Sequence, residues 1–381
     1  MRRDRSGGSS SMGRACGKAA MVVATPQEGG RAMGKGGVVG RVLMAVCFTL
    51  CLGFPLLSPS TAPAGTIVLK LAHVDPADTW TSRKGGGSTL FKQIVEIETR
   101  GAVEVQVYPA GQLGGEREMT EAVKLGSIQM TMISGALANF YKEYQVLDIP
   151  YLFSSPPVAW KVLDGWFGKE MADDCLKKTG MRVLGFGEAG YRNFTNSVRP
   201  IRTPADFKGL KIRVMESPVY MALVRSLGAA PTPVAWTETY AALQQKVVDG
   251  QENPVSTIKY ARLNEVQKYM TLDGHTYGID FILMNEKFFQ SLPKDIQKVI
   301  RIAATTTATI MRGIQTIDST LGVQQLREKG MEVYAPSDSE KAMFRAAAQQ
   351  PVIEYLEKQI GRPWIDKLQK AIKEAEAEIG G

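Results

Sequence analysis

Histidine and cysteine are nearly missing from this chain. Its 381 residues hold two histidines and four cysteines. Cys16, Cys47 and Cys51 precede residue 65, so Cys175 stands alone in the remainder. One thiol closes no internal disulfide, and a remainder of about 300 residues can bury enough apolar surface without cross-links. His73 and His275 lack the i, i+4 histidine pair and glutamate of a zinc-hydrolase helix. The run from His73 through Asp75 to Asp78 reads as a strand end followed by polar turn residues, not as a metal cluster. No serine occupies a Gly-x-Ser-x-Gly elbow. Cys175, among Asp174, Lys177 and Lys178 on an expected helix, reads as a packed thiol. No acid, base and nucleophile assemble, and no metal or cofactor is expected.

Long apolar runs are also scarce. The clearest spans 42–57 and is interrupted by Thr49, Gly53 and Pro55. A membrane span needs about 20 apolar residues, so this run is short for an anchor. Lys35 and Arg41 precede it, and Ala62-Pro63-Ala64 follows as a small-residue cleavage site. Residues 1–64 are therefore expected to be a leader with a secretory signal peptide, removed on export to the periplasm. Met33 or Met44 would give a more ordinary start, and Cys47 after Met-Ala-Val leaves lipidation as an alternative. The net charge of +8 belongs mostly to this leader, which has eight basic against two acidic residues. The rest carries only +2. That is no clustered basic footprint, so nucleic acid is not an expected partner.

What the remainder does have is alternation of strands and helices. Strands are expected at 66–72, 103–107, 128–133, 181–186, 209–214, 229–235, 279–284 and 331–334. Helices are expected at 88–100 with Ser88 as N-cap, at 116–125, from Pro156 to about Lys178, and at 218–227, 238–248 and 257–270. A long helix covers 293–329. Ser337 and Glu340 form a capping-box signature for the next one, and further helices around Pro363 and Trp364 finish the chain. Such alternation argues for an α/β fold with mixed or parallel sheets. The length suggests two lobes: 65–187 mainly the first, 188–284 mainly the second, and 285–381 packing on both.

Gly185-Phe-Gly187-Glu-Ala-Gly190 matches a dinucleotide fingerprint after a strand. The following Tyr-Arg-Asn-Phe-Thr-Asn-Ser makes a poor helix, so the context that pattern requires is missing. The triple glycine 85–87 lacks the Gly-Lys-Ser/Thr ending of a phosphate loop. The positive signals are Arg192, Arg213 and Asn253. An arginine fork holds a carboxylate by two parallel hydrogen bonds, each charge-assisted bond contributing roughly 1.5–3 kcal/mol. Two arginines and an amide would account for much of the ~8 kcal/mol of micromolar binding. Each also has an ordinary reading. Arg213 can be a surface strand residue paired with a glutamate, Arg192 a turn cap, and Asn253 before Pro254 a turn signal.

Five ordered segments carry a resemblance. They are Tyr108-Pro-Ala-Gly-Gln-Leu-Gly114, Pro204-Ala-Asp-Phe-Lys-Gly-Leu-Lys-Ile-Arg-Val214, Leu227-Gly-Ala-Ala-Pro-Thr-Pro233, Glu238-Thr-Tyr-Ala-Ala-Leu-Gln-Gln245 and Val248-Asp-Gly-Gln-Glu-Asn-Pro254. Together they resemble the extracytoplasmic solute-binding proteins of TRAP transporters, the DctP-like family, over essentially all of 66–360. The resemblance implies a two-lobed periplasmic binding protein fold with a long bracing helix. It implies an exported receptor that delivers an organic acid to a sodium-coupled permease. Arg213 falls on the family's carboxylate clamp, Arg192 on a second basic position near the ligand, and Asn253 on an asparagine that helps hold the carboxylate. Trp236 falls where an aromatic often stacks on the ligand, with a core tryptophan as the alternative. Glu116 and Tyr240 are further candidates, and the loop from His73 through Asp75 to Trp80 is expected to face the cleft. The segment Ser82–Ser88 departs from the family pattern. An enzyme on a similar frame and a ligand sensor for signalling are the alternative functions, and a monomer is expected with a dimer as the alternative.

Overall fold

The computed structural model describes residues 65–380. The expected signal peptide and its cleavage site lie outside the described residues. The strands are β1 (Ile67–His73), β2 (Val103–Tyr108), β3 (Met130–Ile133), β4 (Met181–Asn196), β5 (Lys211–Val214), β6 (Ala230–Pro233), β7 (Gly250–Pro254), β8 (Tyr269–Asn285) and β9 (Glu332–Tyr334). The α-helices are α1 (Arg83–Glu98), α2 (Glu116–Leu125), α3 (Pro156–Asp164), α4 (Trp166–Thr179), α5 (Pro218–Ser226), α6 (Trp236–Gln244), α7 (Val255–Tyr260), α8 (Glu286–Ser291), α9 (Lys294–Glu328), α10 (Asp338–Ile360) and α11 (Pro363–Ile379).

All nine strands join one mixed sheet in the order β2-β1-β3-β8-β4-β7-β5-β6, with β9 added on β8. β4 and β8 form its antiparallel spine and pair along nearly their whole lengths. On one side β1 is parallel to β2 and β3; on the other β5 is parallel to β6 and β7. The expected boundary at 187/188 thus falls in the middle of β4, and that at 284/285 at the end of β8.

Helix α9 lies along the spine and contacts α1, β4 and α7. At 1.5 Å per residue its 35 residues run about 50 Å. Its buried face alternates Ile300, Ala303, Ala304, Ala308 and Met311, small enough for close approach. The glycines that matched a dinucleotide pattern serve this contact. A Cβ on Gly187 would stand 2.7 Å from Met311 Cε, and one on Gly190, at φ +94, would stand 2.2 Å from Gln315 Nε2. Across the sheet, Phe281 meets Tyr144 and Phe186 edge-on at 5.0 and 5.4 Å between ring centres. Burial of each such ring contributes roughly 1.5–3 kcal/mol.

Several expected elements differ: the strands expected at 181–186 and 279–284 are the longer β4 and β8, and three helices change. Helix α1 starts at Arg83, not at residue 88, and its cap is Ser82, whose Oγ accepts from Gly85 N at 3.0 Å. The glycines at 85–87 have poor helix propensity, but here tertiary contact decides. A Cβ on Gly85 would lie 2.5 Å from Asp78 O, and one on Gly86 2.5 Å from Thr79 O. The expected helix 257–270 is the single short α7, stopped where Arg262 turns to φ 53. Residues 269 onward belong to β8, whose almost continuous burial hides the two-residue period. The expected helix from Pro156 to Lys178 is two, α3 and α4, broken at Gly165 in extended backbone.

Candidate ligand-binding site

The parallel strands β5 and β7 bring Arg213 beside Gln251, and Asn253 is the next-to-last residue of β7. Alternation puts Ile212 and Val214 on the face opposite Arg213, so burying those two aliphatics aims the guanidinium away from them. Arg213 is only 1% exposed. Its Nε donates to Val234 O at 2.9 Å, and its guanidinium lies 5.7 Å from the Trp236 ring centre. Its Nη1 is buried with no hydrogen-bond partner among the described residues. Burial pushes the Arg213 pKa down to about 10; Glu252 pulls it back up and Arg192 pushes it further down. The group stays protonated at neutral pH.

A narrow cleft opens in front of it. Arg213, Asn253 and Trp236 line it from the β5–β7 side, and Asp75, Arg83 and Glu116 from the other. Trp236 is half-buried and T-stacks with Tyr260 at 6.4 Å, so its ring contributes both to the wall and to local packing. Asn253 accepts from Arg192 Nη2 at 3.1 Å and donates to Gln251 at 2.6 Å, which fixes its amide.

Arg192 stands behind this wall. Its Nε and Nη2 form a fork on the Glu252 carboxylate, and Nη2 also donates to Glu252 O at 2.8 Å. Burial alone would depress its pKa, but Glu252 outweighs that and raises it. His275 closes the same cluster, bonded to Asp273 at 2.9 Å and Glu252 at 3.2 Å. Tyr220 lies 5.3 Å from the Arg192 guanidinium, and its hydroxyl donates to Asp148 at 3.1 Å. Burial pushes the Asp148 carboxyl up to about 7, against an ordinary 3.8. Below 3.8 the folded and unfolded chains both carry the proton. As pH rises through 7 the buried group must ionise, and its contribution to stability is lost. Asp148→Asn should therefore gain about 2–3 kcal/mol relative to the wild type between pH 5 and pH 8, measured by urea unfolding at both pH values.

The wall opposite Arg213 is an ion cluster that sequence reasoning missed. Arg83 Nε donates to Asp280 at 2.6 Å, and its Nη1 donates to Thr257 at 3.3 Å. Lys84 Nζ reaches Glu116 at 2.8 Å and Asp280 at 3.2 Å. Glu116, first residue of α2, also accepts from Ser134 N and its hydroxyl. The sequence signal was Asp280 inside an apolar strand, which demands a buried cation as partner.

Two candidates stand elsewhere. His73 is buried and bonded to Ser88 Oγ at 3.1 Å, outside the cleft lining, and burial holds its pKa down at about 4. Tyr240 donates to Glu265 at 2.7 Å and lines neighbouring surface depressions instead. Cys175 is buried, and burial pushes its thiol up to about 11, as a packed residue requires. Trp80 in the 73–80 loop is 84% exposed.

A family model, bacterial extracellular solute-binding protein family 7 (DctP), matches residues 72–359. The chain belongs to this family. It is a solute-binding receptor rather than an enzyme, of the extracytoplasmic type. A "Solute-binding protein" of Verminephrobacter eiseniae is 39% identical over 313 residues, covering 82% of this chain and 91% of that one. The C4-dicarboxylate-binding periplasmic protein DctP of Rhodobacter capsulatus is 32% identical over 345 residues, covering 90% and 98%. A crystal structure of a TRAP periplasmic solute-binding protein from Polaromonas, bound to D-erythronate, is 36% identical with a TM-score of 0.75. It covers 80% of this chain and 98% of that one. The two-lobed α/β fold expected from the sequence is that of these receptors. No helix among the described residues is long and apolar enough to cross a membrane.

Proposed function

We propose that this receptor captures a small organic acid in the periplasm through an Arg213–carboxylate clamp and delivers it to a sodium-coupled TRAP permease. The supporting observation is the buried Arg213 Nη1, a charged donor facing a cleft with no partner among the described residues. A buried cation left unpaired is costly, and a ligand carboxylate is the group that would pair it. Asn253, held by Arg192 and Gln251, offers its remaining amide hydrogen beside the clamp. Arg192, already forked on Glu252, acts as a positioning residue for Asn253. Trp236 covers the carbon skeleton. Glu116 and Asp75 face the ligand from the opposite wall. The ligands named for two relatives, a C4-dicarboxylate and D-erythronate, are acids of the kind such a clamp would hold. Closure of the two lobes would remove water from the Arg213–carboxylate pair and strengthen it.

A thermal-shift screen of organic acids tests the receptor. A ligand at 100 times its dissociation constant adds ~2.7 kcal/mol, which raises Tm by about 4 °C in a domain of this size. No shift with any carboxylate would overturn the reading. Delivery is tested by uptake into liposomes carrying the cognate permease. Transport should need both receptor and a sodium gradient, and equal uptake without sodium would refute the coupling.

A further inference from the structure

Helix α9 turns a face to solvent that lacks the charges a solvent face normally carries. From 302 to 323 its charged residues are Arg312 and Asp318, and both are engaged within the chain. Arg312 donates to Asp164 and to Phe186 O, and Asp318 is buried against Lys259. Ile302, Ile310, Ile317 and Leu321 stand 39–62% exposed on that face. The threonines among them have their polar atoms occupied. Thr306, Thr309, Thr316 and Thr320 each donate the hydroxyl to the carbonyl four residues back, which leaves the methyl for contact. At the centre stands Gly313, a residue that weakens a helix. A Cβ there would meet nothing within 4 Å, whereas one on Gly322 would stand 2.6 Å from Val255 Cγ1. Packing inside the chain accounts for Gly322 and not for Gly313.

We propose that this face is the interface of a homodimer, formed by antiparallel packing of α9 on the α9 of a second copy, in place of the monomer expected from the sequence. The face is complementary to itself, as a two-fold contact requires. An axis passing between residues 311 and 312 sets Ile302 against Leu321, Thr306 against Ile317, and Ile310 against Gly313 of the other copy. At the centre a bulky side chain therefore meets bare backbone, which lets the two helices approach closely. A different partner would impose no such symmetry, so the symmetry singles out a second copy. Antiparallel pairing also sets the two helix dipoles head to tail. The stretch 302–323 runs about 33 Å at 1.5 Å per residue. Two such faces pressed together remove on the order of 1,000 Å² from water, the lower bound of a specific interface, so the dimer is a micromolar one. Helix α9 already packs on α1, β4 and α7, so it offers this face without refolding.

Sedimentation velocity of the chain without its leader, from about 1 to about 300 µM, reads the dimer directly. The sedimentation coefficient should rise with concentration from that of one copy to that of two. Ile317→Glu puts a charge into the face at its most exposed aliphatic position. It should weaken the dimer by at least about 10-fold and leave the unfolding midpoint of the single copy unchanged. Single cysteines test the arrangement, since the native Cys175 is buried. About the proposed axis, two copies of residue 313 are offset by about 4–5 Å along the helices, and two copies of residue 320 by about 26 Å. Mild oxidation should cross-link Gly313→Cys and not Thr320→Cys. Cross-linking at both positions would mean parallel pairing and overturn the arrangement. A dimer of unchanged strength in Ile317→Glu places the interface elsewhere and overturns it too. Should that variant fail to fold, wild-type sedimentation and the cysteine pair decide. A wild type that stays monomeric throughout overturns the proposal, and reduced permease-dependent uptake with Ile317→Glu would then assign the face to the permease.

Discussion

Arg213→Met is expected to abolish ligand binding while leaving the unliganded protein as stable as the wild type, or more so. The two halves of that result come from one fact. Among the described residues Arg213 is 1% exposed, bonded through Nε to a backbone carbonyl, and without a hydrogen-bond partner at Nη1. Burying a guanidinium without a carboxylate costs free energy, and burial has already pushed its pKa down to about 10. Methionine has similar length and no charge to desolvate, so the fold loses a liability. The ligand, however, loses its counter-ion. Truncating one partner of a buried, hydrogen-bonded charge pair costs about 2–5 kcal/mol, or roughly 30- to 5,000-fold in Kd. The measurement is paired: urea unfolding without ligand, and titration with an acid that stabilises the wild type. A variant that unfolds more easily without ligand by several kcal/mol would make Arg213 a structural residue. Unchanged affinity would remove it from the site altogether. Arg213→Lys gives a finer contrast, because a lysine keeps the charge but loses the planar fork.

Much of this architecture was readable in the residues. The helix 116–125 and the capping box at Ser337 follow local rules, with Gly126 in left-handed backbone ending the first and reciprocal bonds starting the second. The long α9 follows its periodic small and apolar face. Arg213 and Asn253 were singled out by type and flanking residues, and both line one cleft. What stayed hidden depends on tertiary contact. The Gly-rich start of α1 has no local reason to be helical and is stabilised by the 76–79 loop lying against its backbone. The strand character of 269–278 disappears in a segment buried on both faces. The engagement of Arg192 by Glu252 joins residues 60 apart in sequence, across the β4–β7 pairing. The segment Ser82–Ser88 provides the two cations of the ion cluster that lines the cleft opposite Arg213. Their partner Asp280 lies 197 residues from Arg83, and no periodicity links such positions.

That same separation makes Asp280 the position where one substitution should cost the most stability. Its carboxylate is fully buried, with Arg83 at 2.6 Å and Lys84 at 3.2 Å, so it ties the first turn of α1 to the sheet's spine. Asp280→Leu leaves Arg83 and Lys84 buried with only Asp75 and Glu116 to share. Breaking a buried ion network by removing one partner costs about 3–5 kcal/mol. Chemical denaturation should show that loss as a lower midpoint. The acid response gives an independent check. Burial favours the neutral acid, but Arg83 and Lys84 outweigh it and hold the carboxyl below its ordinary 3.8. A depressed native pKa means that the contribution is present above 3.8 and is lost as pH falls further, toward the lower native value. The wild type should lose this contribution below pH 4, where Asp280→Leu has no carboxyl left to protonate and gives a flatter acid limb. Arg83→Met added to Asp280→Leu should recover part of the lost stability, since the orphaned cation goes too. Additive losses in that double variant would mean that the two residues stabilise the fold separately, and that the cluster is not the clasp between α1 and β8.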